Sequence, residues 1–397
     1  MADTPIYDIL QAEFFSNSAI VANGLNQINH SLQELKSINN TLVTMSKSGT
    51  FTQTDLKKYV NSAFTNASTY NQSISEYMDN ISAISSTNFK DKEGLASLSA
   101  TAQSAGNMTS QLANEYLLAS DAAFAYHGNI QKLNSLLDSQ HQVSKKNTLS
   151  MAELASATTT AISQLSTTNI PEDKLTALLG TGISYSGSNG EAVGKNIAGI
   201  INNMQLFENK GTAESILGKD KLKEIEDQCY SLGISLYELK NGTMKLREPI
   251  TIIEEIGQAL QGLPSDSPIQ FDIASALGGT EYADMFTGIF NNWDVYQNLL
   301  SDYQNAAGSA FAAVTLDAQS WEGSLNSLSN TWTSLVNNIA NSDGIIAGIG
   351  TLDKLLGTVN KFGSMSSPLG MAGILGAGIL STKNVGGENN IQLSPIF

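Results

Sequence analysis

Between Trp321 and Ile339, apolar side chains recur at Trp321, Leu325, Leu328, Trp332, Leu335 and Ile339, stepping by four and three residues in alternation. That spacing lines all of them along one face of a helix, the pattern of a coiled-coil seam, and such a seam must be buried against something. A second seam runs through Val21, Leu25, Ile28, Leu32, Leu35, Ile38, Leu42 and Met45, with an extra three-residue step at Leu35 to Ile38 that acts as a stammer. A chain carrying two such seams is expected to be predominantly α, with long amphipathic, coiled-coil-like helices around a helical core. The Val21 to Met45 seam and a second amphipathic segment from Leu56 to Ile84 fit either a plain antiparallel helix pair or self-association into a homo-oligomer.

Taken in order, the chain reads as five parts. Long amphipathic helices fill 1–87, broken near Gly49, and shorter helices fill 88–149. A core follows over 150–292, then a long heptad helix over 293–341 and a glycine-rich, hydrophobic C-terminal segment over 342–397. Ser150 with Glu153 has the spacing of a capping box, and Pro171-Glu172-Asp173 places a proline and two acids at a helix start. Gly187-Ser188-Asn189-Gly190-Glu191 lacks the Gly-Lys-Ser/Thr ending of a phosphate-binding loop and reads as a turn. A charged helix is expected from Thr212 to about Cys229.

The one β signal is at about 234–247. Two short apolar-alternating runs flank Asn241-Gly242, the dipeptide suited to a type I′ turn because both central residues need positive φ. Two strands alone are marginal in water, so this hairpin is expected to lie on the helices at 251–262 and 269–277. Its exposed edge could alternatively dock a partner strand.

Charge and residue types exclude several function classes. The net charge is −16, and Arg247 is the only arginine. Sequence-independent phosphate binding needs clustered Lys and Arg, so stable nucleic-acid binding is not expected. Cys229 is the single cysteine and cannot form an internal disulfide. The first residues, Met1 to Gln11, do not read as a secretory signal. His30, His127 and His141 are too scattered for a metal site, and no cofactor is expected. Glu254, Glu255 and Asp302 read as acids on solvated helix faces, and no hydrolase motif accompanies them, so the chain is expected not to be an enzyme.

From Phe362 to Thr382 no residue is charged, and the apolar run Leu369 to Leu380 holds Gly370, Gly373, Gly376 and Gly378. A spanning helix wants about 20 apolar residues, so this run is too short by itself. It is either a conditional membrane-inserting segment or a buried or flexible tether, since small residues at such spacing permit close helix contact.

Leu277-Gly278-Gly279, Asn292-Trp293-Asp294, Ala306-Ala307-Gly308-Ser309-Ala310 and Trp321-Glu322-Gly323 through Trp332 follow one another in this order. That order resembles the conserved core of phage tail tape measure proteins, and the likeness extends back through Leu246-Arg247-Glu248-Pro249 and Gly180-Thr181-Gly182-Ile183, over roughly 150–346. The resemblance implies a structural virion protein that sets tail length by templating tail tube assembly and is released to assist genome ejection. It also implies tail tube protein, tail assembly chaperones and tail-tip proteins as partners, the tube lumen as location after synthesis in the host cytoplasm, and the host membrane as a contact on ejection. Even a wholly helical chain of this length would span only roughly 600 Å, so a short tail or an incomplete chain is expected. The alternatives from other classes are a secreted, membrane-active helical effector and an intracellular scaffold.

Overall fold

The computed structural model describes residues 30–31, 33–47, 51–165, 170–264, 267–306, 308–320 and 326–334 without 328 and 332. The chain divides into two compact units, Met1–Leu56 with Ser327–Phe397 and Lys57–Asn326. It is predominantly α, as the periodicity predicts, and among the described residues the only strands are those of one hairpin.

In the first unit, a helix (α1) is described over 33–47. Its Leu35, Ile38, Leu42 and Met45 are buried while Lys36, Asn40 and Thr44 are exposed, so the apolar stripe is the inward face here. Leu25, Ile28 and Leu32, expected on the same seam, lie outside the described residues, as do Trp321, Leu325, Leu328, Trp332, Leu335 and Ile339.

The second unit begins within α2 (Gln53–Asn66). It continues through α3 (Ile74–Ser85), α4 (Lys92–Gly106), α5 (Ser110–Ala123), α6 (Ile130–Asn147), α7 (Met151–Gln164), α8 (Glu172–Ser186) and α9 (Gly190–Gln205). Then come α10 (Lys210–Leu217), α11 (Lys219–Ser231), the strands β1 (Tyr237–Lys240) and β2 (Thr243–Leu246), and α12 (Pro249–Leu260). The last described helices are α13 (Pro268–Gly278), α14 (Ala283–Asn291), α15 (Trp293–Gln304) and α16 (Ser309–Ala318).

Local chemistry sets many of these starts. Ser73, Thr109, Asn129, Asn189 and Asn209 each accept a hydrogen bond from a backbone N–H in the first turn of the helix they precede. Ser150 does the same for the N–H of Glu153. The expected capping box is only half made, however, because the Glu153 carboxylate reaches across to the backbone N–H of Gly190 instead.

That contact marks the tightest seam in the unit. A Cβ on Gly190 would meet the Glu153 carbonyl oxygen at 2.0 Å, and one on Gly194 would meet the Ala157 carbonyl oxygen at 2.4 Å, so α9 lies directly on the backbone of α7. Around this pair, α5 packs on α7, α15 on α8 and α6, and α16 on α4 and α6. The boundaries expected near 87, 149 and 292 therefore all fall inside one unit, since helices from either side of each share its core.

Two expected helices are broken. The long helix from residue 293 ends at Gln304, and α16 starts after Gly308, whose φ of 74° no α-helical residue adopts. The charged helix is interrupted at Gly218, with φ 82° and ψ 151°, giving α10 and α11. In both places a glycine relaxes the steric bar on positive φ.

Candidate functional surfaces

The three carboxylates expected on solvated faces are structural clamps. Glu254 on α12 takes Lys174 Nζ from α8 at 2.5 Å and the Tyr296 hydroxyl from α15 at 2.8 Å. Burial first, and the Glu254 carboxylate second, push the Tyr296 phenol far above its ordinary value. Glu255 holds Arg247 in a two-pronged pair, Nη1 to Oε2 at 2.8 Å and Nη2 to Oε1 at 2.5 Å, and the same guanidinium donates to the Ser235 carbonyl at 2.8 Å. The arginine hydrogen bond holds the Glu255 carboxyl below its usual range. Asp302 accepts from Lys146 Nζ at 2.7 Å and Asn147 Nδ2 at 2.9 Å, tying α15 to the end of α6.

The motif Ala306 to Ala310 is organised the same way. Asp138 on α6, 5 % exposed, accepts from the N–H groups of Gly308 and Ala310 at 2.9 Å each and so caps α16. Beside it, His141 Nδ1 lies 2.6 Å from the Ser309 hydroxyl. Burial lowers the His141 pKa, nearby Lys145 adds to the fall and Asp138 opposes it. Trp293, from the Asn-Trp-Asp motif, is buried against the Cα of Gly257 and stacks on Tyr296 with ring centroids 4.2 Å apart. Leu277-Gly278-Gly279 ends α13, where Asn203 Nδ2 donates to the Gly278 carbonyl at 2.7 Å. Each of these motifs falls at a helix end.

The hairpin departs from expectation in what supports it. Its register pairs Tyr237 with Leu246, Glu238 with Lys245, Leu239 with Met244 and Lys240 with Thr243, and Asn241 and Gly242 have φ of 55° and 77°. The segment before α10 borders β2, through Asn209 opposite Lys245 and the Leu246 N–H donating to the Glu208 carbonyl at 2.8 Å. Arg247 supplies the tie to α12. Tyr237 is buried at the base, whereas Leu239 is 72 % and Met244 41 % exposed toward the tip, so the tip of this face is left uncovered among the described residues.

An open groove of about 740 Å³ lies between α6 and α8, lined by Phe124, Tyr126, Lys132, Pro171, Glu172 and Tyr303 among others. Burial raises the Glu172 pKa, and it is the first cause of the strong rise at Tyr303. Among the described residues no group of three or more His, Cys, Asp or Glu could hold a metal ion, and no helix is long and apolar enough to cross a membrane. Gly370, Gly373, Gly376 and Gly378, expected in a membrane-inserting segment, lie outside the described residues.

What the described residues build is a helical packing module whose polar side chains cap, clamp and join helices. Residues 81–279 match the family model of the phage-related minor tail proteins, half of the chain, and the chain belongs to that family. It is thereby a structural protein of a phage tail, a setting in which it associates with other tail proteins. No curated protein and no solved structure matches it. The match starts earlier than the likeness drawn from the motifs and ends at Gly279, so Trp293, Gly308 and the Trp321 stretch lie beyond it.

Proposed function

We propose that this tail protein is a tape measure: copies lie along the future tube axis, template the assembly of tail tube protein around themselves, and leave the tube before the genome. The observation that carries the reading is the run of motifs continuing past the matched residues 81–279, through the helix starts at Trp293 and Ser309, into the heptad seam of Trp321 to Ile339. Tail assembly chaperones and tail-tip proteins are the further partners that reading implies, and the host membrane is its contact on ejection. The net charge of −16 supports release, because an anionic occupant is not held by DNA and is repelled by it at close range.

The test is protease protection in purified tails. A chain inside the tube is found in intact particles by mass spectrometry and resists added protease until the tails are opened. A chain that is absent from the particles, or is digested in intact tails as fast as in opened ones, contradicts the reading.

A further inference from the structure

We propose that the hairpin pairs edge to edge with the hairpin of a second copy of this chain, antiparallel, about a two-fold axis through Leu239.

The backbone directions follow from the bonds around the hairpin. Arg247 N–H donates to the Leu236 carbonyl, so residues 236 and 247 face each other, while Leu246 N–H turns outward to Glu208. Alternation along the strands then turns the N–H and C=O of Lys240 and Glu238 toward β2 and those of Leu239 outward. The outer side of β2 is partly covered by Glu208 and Asn209. On β1, the N–H and C=O of Leu239 have no hydrogen-bond partner among the described residues. An unfilled edge of this kind templates another strand.

Its side chains select the strand that fits. With Leu239 opposite Leu239 of the copy, the two exchange a pair of backbone hydrogen bonds, and Glu238 falls opposite Lys240 of the copy on both sides of the axis. Both side chains are exposed and neither forms an ion pair within the described residues. On the other face, Leu239 meets Leu239 of the copy across the axis, with Met244 flanking it on its own hairpin, which covers the exposed Leu239 side chain at the tip. A guarding edge would carry charges of one sign. This one carries opposite charges two residues apart, which repel nothing in a two-fold pairing. The contact is independent of the tape measure reading and stands or falls separately from tail length.

Sedimentation of the full chain over a concentration series tests it. The wild type is expected to associate reversibly. Glu238→Lys and Lys240→Glu each place like charges opposite one another twice, weakening association by roughly five- to thirty-fold. An equimolar mixture of the two variants regains wild-type affinity, because every cross-strand pair is again of opposite sign, and the double variant regains it alone. Leu239→Pro removes the outward N–H without removing a hydrogen bond of the hairpin, so it abolishes association while leaving the melting temperature close to wild type. A wild type that stays monomeric, association that none of these variants changes, or a mixture no tighter than its components would overturn the proposal.

Discussion

Gly190 meets Glu153 twice: its N–H donates to the Glu153 carboxylate, and its Cα lies so close to the Glu153 carbonyl that an added Cβ would sit 2.0 Å from the oxygen. A backbone oxygen cannot rotate away as a flexible side chain would. Gly190→Ala therefore forces α9 off α7 and is expected to cost about 3 kcal/mol, at the upper end for overpacking. Gly187→Ala is the control, since its Cβ would meet nothing within 4 Å and only the positive φ of 60° is penalised, at about 1 kcal/mol. Chemical denaturation of both variants checks the difference, and equal losses would contradict the close approach.

Asp138 caps a helix from a distance in sequence, since the N–H of Gly308 that it accepts from lies 170 residues later in the chain. Replacing it by alanine deprives the N–H groups of Gly308 and Ala310 together, with an expected loss of about 2 kcal/mol. Asp138→Asn keeps one carbonyl acceptor and loses less. Thermal melts should show a fall of roughly 4 to 8 °C for the alanine variant.

His141 makes the fold sensitive to mild acid. Its folded pKa lies below the ordinary 6.5 because burial disfavours the charged ring. Stability from the neutral ring is thus fully present above the unfolded value and is lost as pH falls through the folded one. Melting temperature measured from about pH 7 to about pH 5 is expected to decline less steeply for His141→Gln than for the wild type. Parallel curves would show that this histidine does not contribute.

Cys229 is fully buried, and burial pushes its thiol up to about 12. The native protein should resist alkylation at about pH 8, and one thiol per chain should react once it is denatured. Rapid labelling of the folded chain would contradict the packing of α11.

Periodicity and turn chemistry made the fold class readable in the sequence. The spacing of Leu35, Ile38, Leu42 and Met45 marks an inward face, and Asn241-Gly242 marks the only hairpin among the described residues. What stayed hidden depends on partners distant in sequence. Glu254 looks like a solvated acid until Lys174, 80 residues away, is seen against it. Glu153 satisfies the pattern of a capping box, yet the Gly190 N–H competes for its carboxylate and wins. The break before α16 had a local signal in Gly308, but the expected long helix outweighed it, and the cap that fixes the break comes from Asp138. For the hairpin, alternating runs and the turn were legible. The uncovered tip was not, because its exposure depends on where the neighbouring helices end.

The central claim, that this chain is a ruler, is tested most directly by tail length. Electron microscopy would compare wild-type phage with one whose gene duplicates Gln319 to Ile339 in frame, adding three heptads to the seam. The account predicts tails longer by about 30 Å, the rise of the added helical residues. Tails of unchanged length would contradict it.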